Sequence, residues 1–323
     1  VVEKETVVEK ETVVETVVET VVEKETVIET VVEEVEVGPP VAVPFEELWA
    51  ESGHADAEAE AFVHWDEDDP AEVPVACAKC HSTPGMLDFV GADGTEAGVV
   101  DNAAPIGTTV ECEACHNAGT ANMTSVVMPS GIELTGLGPE ARCMQCHQGR
   151  HSTVSVNASI EEAGATDDDE VSEDLGFSNI HYYAAAASQY GTAAMGGYEY
   201  DGKSYDAKFD HVAGYDTCVD CHNSHTLELK VEECAACHTG VASQEDLRDI
   251  RMPGSLVDYD GDGEVGEGID DEIAGLQEIL YGAMQAYAAD VAGSSLVYDA
   301  AAYPYFFDDA GERYAAWTPR LAK

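Results

Sequence analysis

The sequence predicts a mainly α chain with extensive loops and little regular sheet. Three observations lead to that class. All ten cysteines fall in five short units, each the length of one helical turn. The segments between them are rich in Gly, Pro, Asp and Thr, which favour turns. Only one stretch, near the C-terminus, sustains a helical hydrophobic period. A length of 323 residues allows one large domain or two smaller ones.

The five units are Cys77-Ala-Lys-Cys80-His81, Cys112-Glu-Ala-Cys115-His116, Cys143-Met-Gln-Cys146-His147, Cys218-Val-Asp-Cys221-His222 and Cys234-Ala-Ala-Cys237-His238. At this composition about 0.01 such units would arise by chance, so their number is not accidental. Structural zinc usually draws on paired Cys-x-x-Cys units, and an odd number with the same adjacent His each time does not suit it. A disulfide framework has no need for that His either. Cys-x-x-Cys-His is the attachment pattern of c-type haem. Two thiols on one turn reach the two vinyl groups of one porphyrin, and the adjacent imidazole binds the iron. The expectation is five c-type haems, with His81, His116, His147, His222 and His238 as proximal ligands. Packed against such apolar plates, the chain replaces part of a conventional core, which explains a haem-packed fold with so little regular sheet.

Six further histidines remain, His54, His64, His151, His181, His211 and His225. Five iron positions need a second ligand, so His54, His151, His181, His211 and His225 are the distal candidates and His64 the spare. His225 follows His222 so closely that it is expected to reach a neighbouring haem, and His151 lies one helical turn beyond His147. His181 is expected to open an aromatic and alanine-rich helix. Met123, Met128 and Met195 read as packing residues. Ligation by two histidines gives lower potentials than His/Met ligation, so the expected set is a low-potential one.

Three regions follow from composition. Residues 1–40 are a low-complexity Val/Glu/Thr tract closed by Gly38-Pro39-Pro40, read as a charged spacer, with a β-prone assembly element as the rival reading. Residues 41–250 carry the haem motifs, with an acidic loop from Thr166 to Asp174 between the third and fourth. Residues 251–323 begin with Asp258-Tyr-Asp260-Gly-Asp262-Gly263, the first half of a calcium loop. Ile269 stands where that loop normally has its last acidic ligand, so Glu267 or Glu272 would substitute and Glu264 could offer its carbonyl. Ile269, Ile273, Leu276, Ile279, Leu280, Met284, Tyr287 and Val291 then mark one face of a helix of about 20 residues. Tyr303, Tyr305, Phe306, Phe307, Tyr314 and Trp317 form an aromatic packing arm.

The net charge is −51, from 65 acidic against 14 basic residues. Nucleic acids and anionic membranes, both recognised through Lys and Arg, are therefore not expected as partners. Such a surface suits a basic redox partner protein, an extracellular acceptor, bound cations or a saline habitat, or serves solubility alone. No segment is apolar enough to span a membrane. Attachment of haem to Cys-x-x-Cys-His is completed outside the cytoplasm, so the chain is expected in the periplasm, at the cell surface or beyond it. Since it opens on Val1, a signal or a membrane or cell-wall anchor is expected outside this sequence.

Over about residues 50–290, the chain resembles the multihaem, here pentahaem, c-type cytochromes of anaerobic and metal-respiring bacteria and archaea. The resemblance rests on Ser52-Gly-His54-Ala, the five motifs, Cys221-His-Asn-Ser-His225 and the Asp-Gly-Asp-Gly loop. It implies electron transfer rather than catalysis. It also leaves two alternatives: an oxidoreductase with one open haem acting on a small nitrogen or sulfur compound, or a subunit that self-assembles into filaments. Pentahaem nitrite reductases within the group carry a Cys-x-x-Cys-Lys unit, which this sequence lacks.

Overall fold

The computed structural model describes the backbone of Thr12–Glu15 and Val31–Glu34, and residues 43–323. The remainder of the Val/Glu/Thr tract, with both readings made of it, lies outside the described residues. The chain divides into two compact units, Val1–Glu47 and Leu48–Lys323. In the first, Thr12–Glu15 pairs antiparallel with Val31–Glu34, Thr12 opposite Glu34.

The second unit is mainly α with little sheet, as its composition predicts. Among the described residues only the helix Ile269–Tyr287 exceeds ten residues. The sheets of this unit are two-stranded and antiparallel: Glu72–Val73 with Ala104–Pro105, Ser125–Val127 with Glu133–Thr135, and Val297–Tyr298 with Phe306–Phe307. Short elements of this kind cannot form one continuous core. Apolar side chains instead gather in separate clusters. Trp65, Val73, Ala78 and Ala104 form one, and Val126, Met128, Leu134, Leu137, Met144, Ala187 and Tyr190 belong to another. The latter buries Met128, consistent with the packing role expected for it.

Helix Val75–His81 and helix Thr83–Phe89 meet tightly. Ser82 caps the second by accepting the Gly85 N–H at 3.0 Å. A Cβ on Gly85 would lie 2.3 Å from the Ala78 carbonyl, so only glycine permits this approach.

Two expectations about helices need correction. The helix expected from His181 begins at Ala185, because His181 and Tyr183 take left-handed backbone angles (φ 84° and 51°) that a helix does not accommodate. The long C-terminal helix forms where its period predicts, then widens into a π turn at Ala288–Ala292. Its apolar stripe is largely uncovered, however: Ile273, Leu276, Ile279 and Leu280 are exposed. Its far end does the packing. Ala288, Met284 and Tyr287 meet Leu175, Leu296, Phe306, Tyr314, Trp317 and Leu321. The aromatic arm thus folds back on its own chain, although Tyr303 stays exposed.

The acidic loop is held by the scarce basic residues of the C-terminus. Arg320 Nε donates to Asp169 Oδ1 at 2.7 Å and Lys323 Nζ to Asp168 Oδ1 at 2.6 Å. The Tyr287 hydroxyl donates to Asp169 at 2.8 Å, and the Ser172 N–H to the Trp317 carbonyl at 2.9 Å.

Candidate functional site

Each Cys-x-x-Cys-His unit forms a single α-turn, and the turn itself positions the ligands. The backbone N–H of His116, His147, His222 and His238 donates to the carbonyl of the first Cys of its own unit, at 2.8, 3.0, 2.8 and 2.9 Å. His81 reaches the same place as the last residue of helix Val75–His81. Both thiols of a unit and its imidazole therefore share one side of one turn. No two of the ten cysteines are joined in a disulfide.

Four of the five motif histidines face a second imidazole that comes from far away in sequence. His54 and His147 have ring centroids 6.2 Å apart, and His116 and His225 6.3 Å apart. His81 and His181 stand 5.9 Å apart, and His211 and His238 5.8 Å apart. Two imidazoles bound on opposite sides of one metal, at ordinary metal–nitrogen bond lengths, would put their centroids about 6–6.5 Å apart. Direct stacking would bring them closer. The separations match the space that one iron would occupy.

The outer ring nitrogens are also spoken for. Nδ1 of His81 lies 2.9 Å from the Ala61 carbonyl, that of His147 3.2 Å from Tyr183 O, and that of His222 2.8 Å from Leu227 O. A carbonyl can only accept, so Nδ1 carries the proton and Nε2 presents its lone pair to a metal. Burial favours the same neutral ring. It lowers the pKa of His54 to about 4, helped by the charge of His147, and it also lowers those of His81, His147 and His181.

The spare histidine and one distal candidate face no motif histidine. His64 bonds Glu60 at 2.8 Å and meets Trp65 edge-on at 5.0 Å. His151 lies near Arg150 and His181, and its Nδ1 is buried without a partner. His211 and His225, by contrast, each face a motif histidine other than the nearest in sequence. No local signal identifies these pairings, because they are made by folding across more than 25 residues or across intervening motifs.

Close contacts order the motifs in space. Cys146 Sγ lies 3.7 Å from the Lys79 carbonyl, beside Cys80, which brings the first motif next to the third. The helix Glu140–Met144, which holds Cys143, packs against the helix Cys218–Cys221, bringing the third motif next to the fourth. Cys115 feels both Cys143 and Cys146, and Cys221 feels Cys234. The third motif is the junction. Cys221 and His211 also line a cavity of about 440 Å³, walled by Ala185, Phe209 and Tyr215, beside the fourth and fifth motifs.

The acidic loop after Asp258 folds against the long helix. Carboxylate oxygens of Asp258, Asp260 and Glu272 lie within 4.8 Å of one another, as do those of Asp260, Asp262 and Glu267. Glu272 is buried and accepts the Tyr259 and Asp260 N–H groups at 2.7 and 3.1 Å and Arg251 at 2.5 Å. Burial works against its ionisation, but those donors outweigh it and hold its carboxyl below the usual range. Glu267 is pushed the other way, by burial and by the charges of Asp262 and Asp260, and its Oε1 has no hydrogen-bond partner. Glu264 is exposed and its N–H donates to Asp262 at 2.7 Å.

Residues 60–148 match the family of cytochrome c7 and related cytochrome c, a stretch that holds the first three motifs and ends just after His147. No curated protein and no solved structure matches the chain. With the motifs, the match supports a multihaem c-type cytochrome that binds haem and transfers electrons. Cytochromes of that family are typically extracytoplasmic. Among the described residues no helix is long and apolar enough to cross a membrane.

Proposed function

We propose that the chain is a pentahaem electron carrier, exported from the cytoplasm, with haems bound at Cys77/Cys80, Cys112/Cys115, Cys143/Cys146, Cys218/Cys221 and Cys234/Cys237. The observation that carries this reading is the set of four facing imidazole pairs, each spaced for one metal and each completing a different motif. The haems supply reversible one-electron iron chemistry; the protein supplies fixed ligands, separation from water and proximity between centres. Two-histidine ligation sets low potentials.

The proximity of the motifs supports an order with the third between the first, second and fourth, and the fifth beyond the fourth. Electrons entering at one end would pass through the Cys143/Cys146 centre. A basic redox protein or an extracellular acceptor fits the −51 charge. No bound substrate is required by this function.

The acidic loop is proposed to hold calcium, with Asp258, Asp260, Asp262 and Glu267 as carboxylate ligands and Glu272 fixing the loop to the helix. The supporting observation is Glu267, whose buried, unpartnered oxygen among like charges calls for a cation. Its role is structural.

A redox titration followed by electron paramagnetic resonance tests the carrier reading. Low-spin signals of paired imidazoles, titrating at low potential, are expected for at least four centres. High-spin iron at most centres would refute it.

A further inference from the structure

We infer that the iron carried by His222 keeps an open coordination position that accepts a small neutral diatomic ligand, carbon monoxide or nitric oxide. The inference deepens the pentahaem reading and rests on it.

All eleven histidines of the chain lie among the described residues, since the first is His54. Eight of them are committed to the four facing pairs. His222 is the one motif histidine without an imidazole opposite it. Its own ring is nonetheless prepared for metal: Nδ1 donates to the Leu227 carbonyl at 2.8 Å, leaving Nε2 as the ligand atom.

The nearest alternative is removed by the turn that follows. Asn223 Oδ1 accepts the N–H groups of His225 and Thr226 at 2.9 and 3.1 Å, and the Leu227 N–H returns to the Asn223 carbonyl at 2.9 Å. Leu227 takes a left-handed φ of 65° to close it, and His222 bridges Leu229. This tight turn aims the His222 ring one way and delivers His225 to His116, at an interplanar angle of 8°. His225 therefore serves the second motif rather than its own.

The two uncommitted histidines sit elsewhere. His64 is bonded to Glu60 and packed on Trp65, next to the first motif. His151 neighbours His181, again beside the first motif. His147, which also lies near His222, already faces His54. Six candidates for five vacancies thus leave two unused and one iron open.

The test is carbon monoxide added to the dithionite-reduced full-length protein, followed by absorption spectroscopy. Haem content is measured separately, as haems per chain after denaturation. Five haems with a carbon monoxide difference spectrum of about one-fifth full amplitude is the expected result. The Cys218→Ala/Cys221→Ala variant should keep four haems and lose that response. The His211→Ala variant should raise the response to about two-fifths, which serves as a folded control.

Five haems with no response would overturn the inference while leaving the pentahaem reading intact. So would a response that survives loss of the fourth motif. A response absent in the wild type but gained in His64→Ala or His151→Ala would identify the closing ligand and refute it too. A response seen only on dilution would mean that another copy supplies the ligand. Fewer than five haems would instead count against the pentahaem reading itself.

Discussion

Burial and metal binding ask the same thing of the imidazoles in this chain, namely that they stay neutral. His54 illustrates it: its pKa falls to about 4 through burial and the nearby His147, so it offers a lone pair throughout the physiological range. Replacing it by Met would exchange a nitrogen for a thioether, which raises the potential of a haem iron. In His54→Met one centre of the set should move upward in a spectroelectrochemical titration while the others stay; an unmoved set would separate His54 from the Cys143/Cys146 centre. The motif histidines were legible in the sequence because their roles are fixed within one turn. Their partners were legible only as a pool, since nothing local joins His181 to His81 or His225 to His116. His151 shows the limit of spacing arguments. Placing it one turn beyond His147 suggested a ligand, yet Gly149 takes a left-handed φ of 82° and the helix resumes only at Thr153, so the shared face is lost.

The elements of the C-terminal region hold one another by specific contacts rather than by broad apolar faces. A Cβ on Gly275 would lie 1.7 Å from Asp260 Oδ2, so this helical glycine is the seat of the acidic loop. Gly275→Ala should displace Asp260 and weaken calcium binding at least tenfold by calorimetry on chelator-treated protein, although Ala is the better helix former. Unchanged affinity would dissociate the loop's seat from cation binding. Trp317 is 3% exposed among Phe306, Tyr314 and Leu321, and Trp317→Ala should cost about 3–5 kcal/mol in denaturant unfolding. The acidic loop has its own pH dependence. Hydrogen bonds from Arg320 and Tyr287 hold the Asp169 carboxyl below the usual range. A lowered carboxylate stabilises the fold fully above its ordinary pKa of about 3.9, and that contribution fades as pH falls through the lowered value. Amide exchange at Ser172 and Arg320, corrected for intrinsic rates, should therefore stay slow at neutral pH and accelerate only below about pH 4. The period of the long helix was readable from its apolar spacing, but that spacing could not tell which end packs. Burial there is decided by Glu272, Gly275 and Ala288, none of which belongs to the stripe.

At the scale of the whole molecule, separate apolar clusters and a −51 charge are an unusual foundation for a folded unit of this size. Self-repulsion of that magnitude is relieved by salt. Raising sodium chloride from about 0.01 to about 1 M shortens the screening length from about 30 to about 3 Å, so Tm should rise over that range. A Tm that falls instead would mean that the few ion pairs outweigh the repulsion. The mainly α, sheet-poor architecture was evident from turn-rich composition and one-turn motifs, while the pairing of histidines across the chain depends on tertiary contacts alone. Everything proposed for function rests on covalent haem at all five motifs. The most direct measurement is the intact mass of the denatured protein. A polypeptide carrying five haems, with no thiol left to alkylate, is the expected result. A mass with fewer haems, or with zinc or disulfides in their place, would contradict the account.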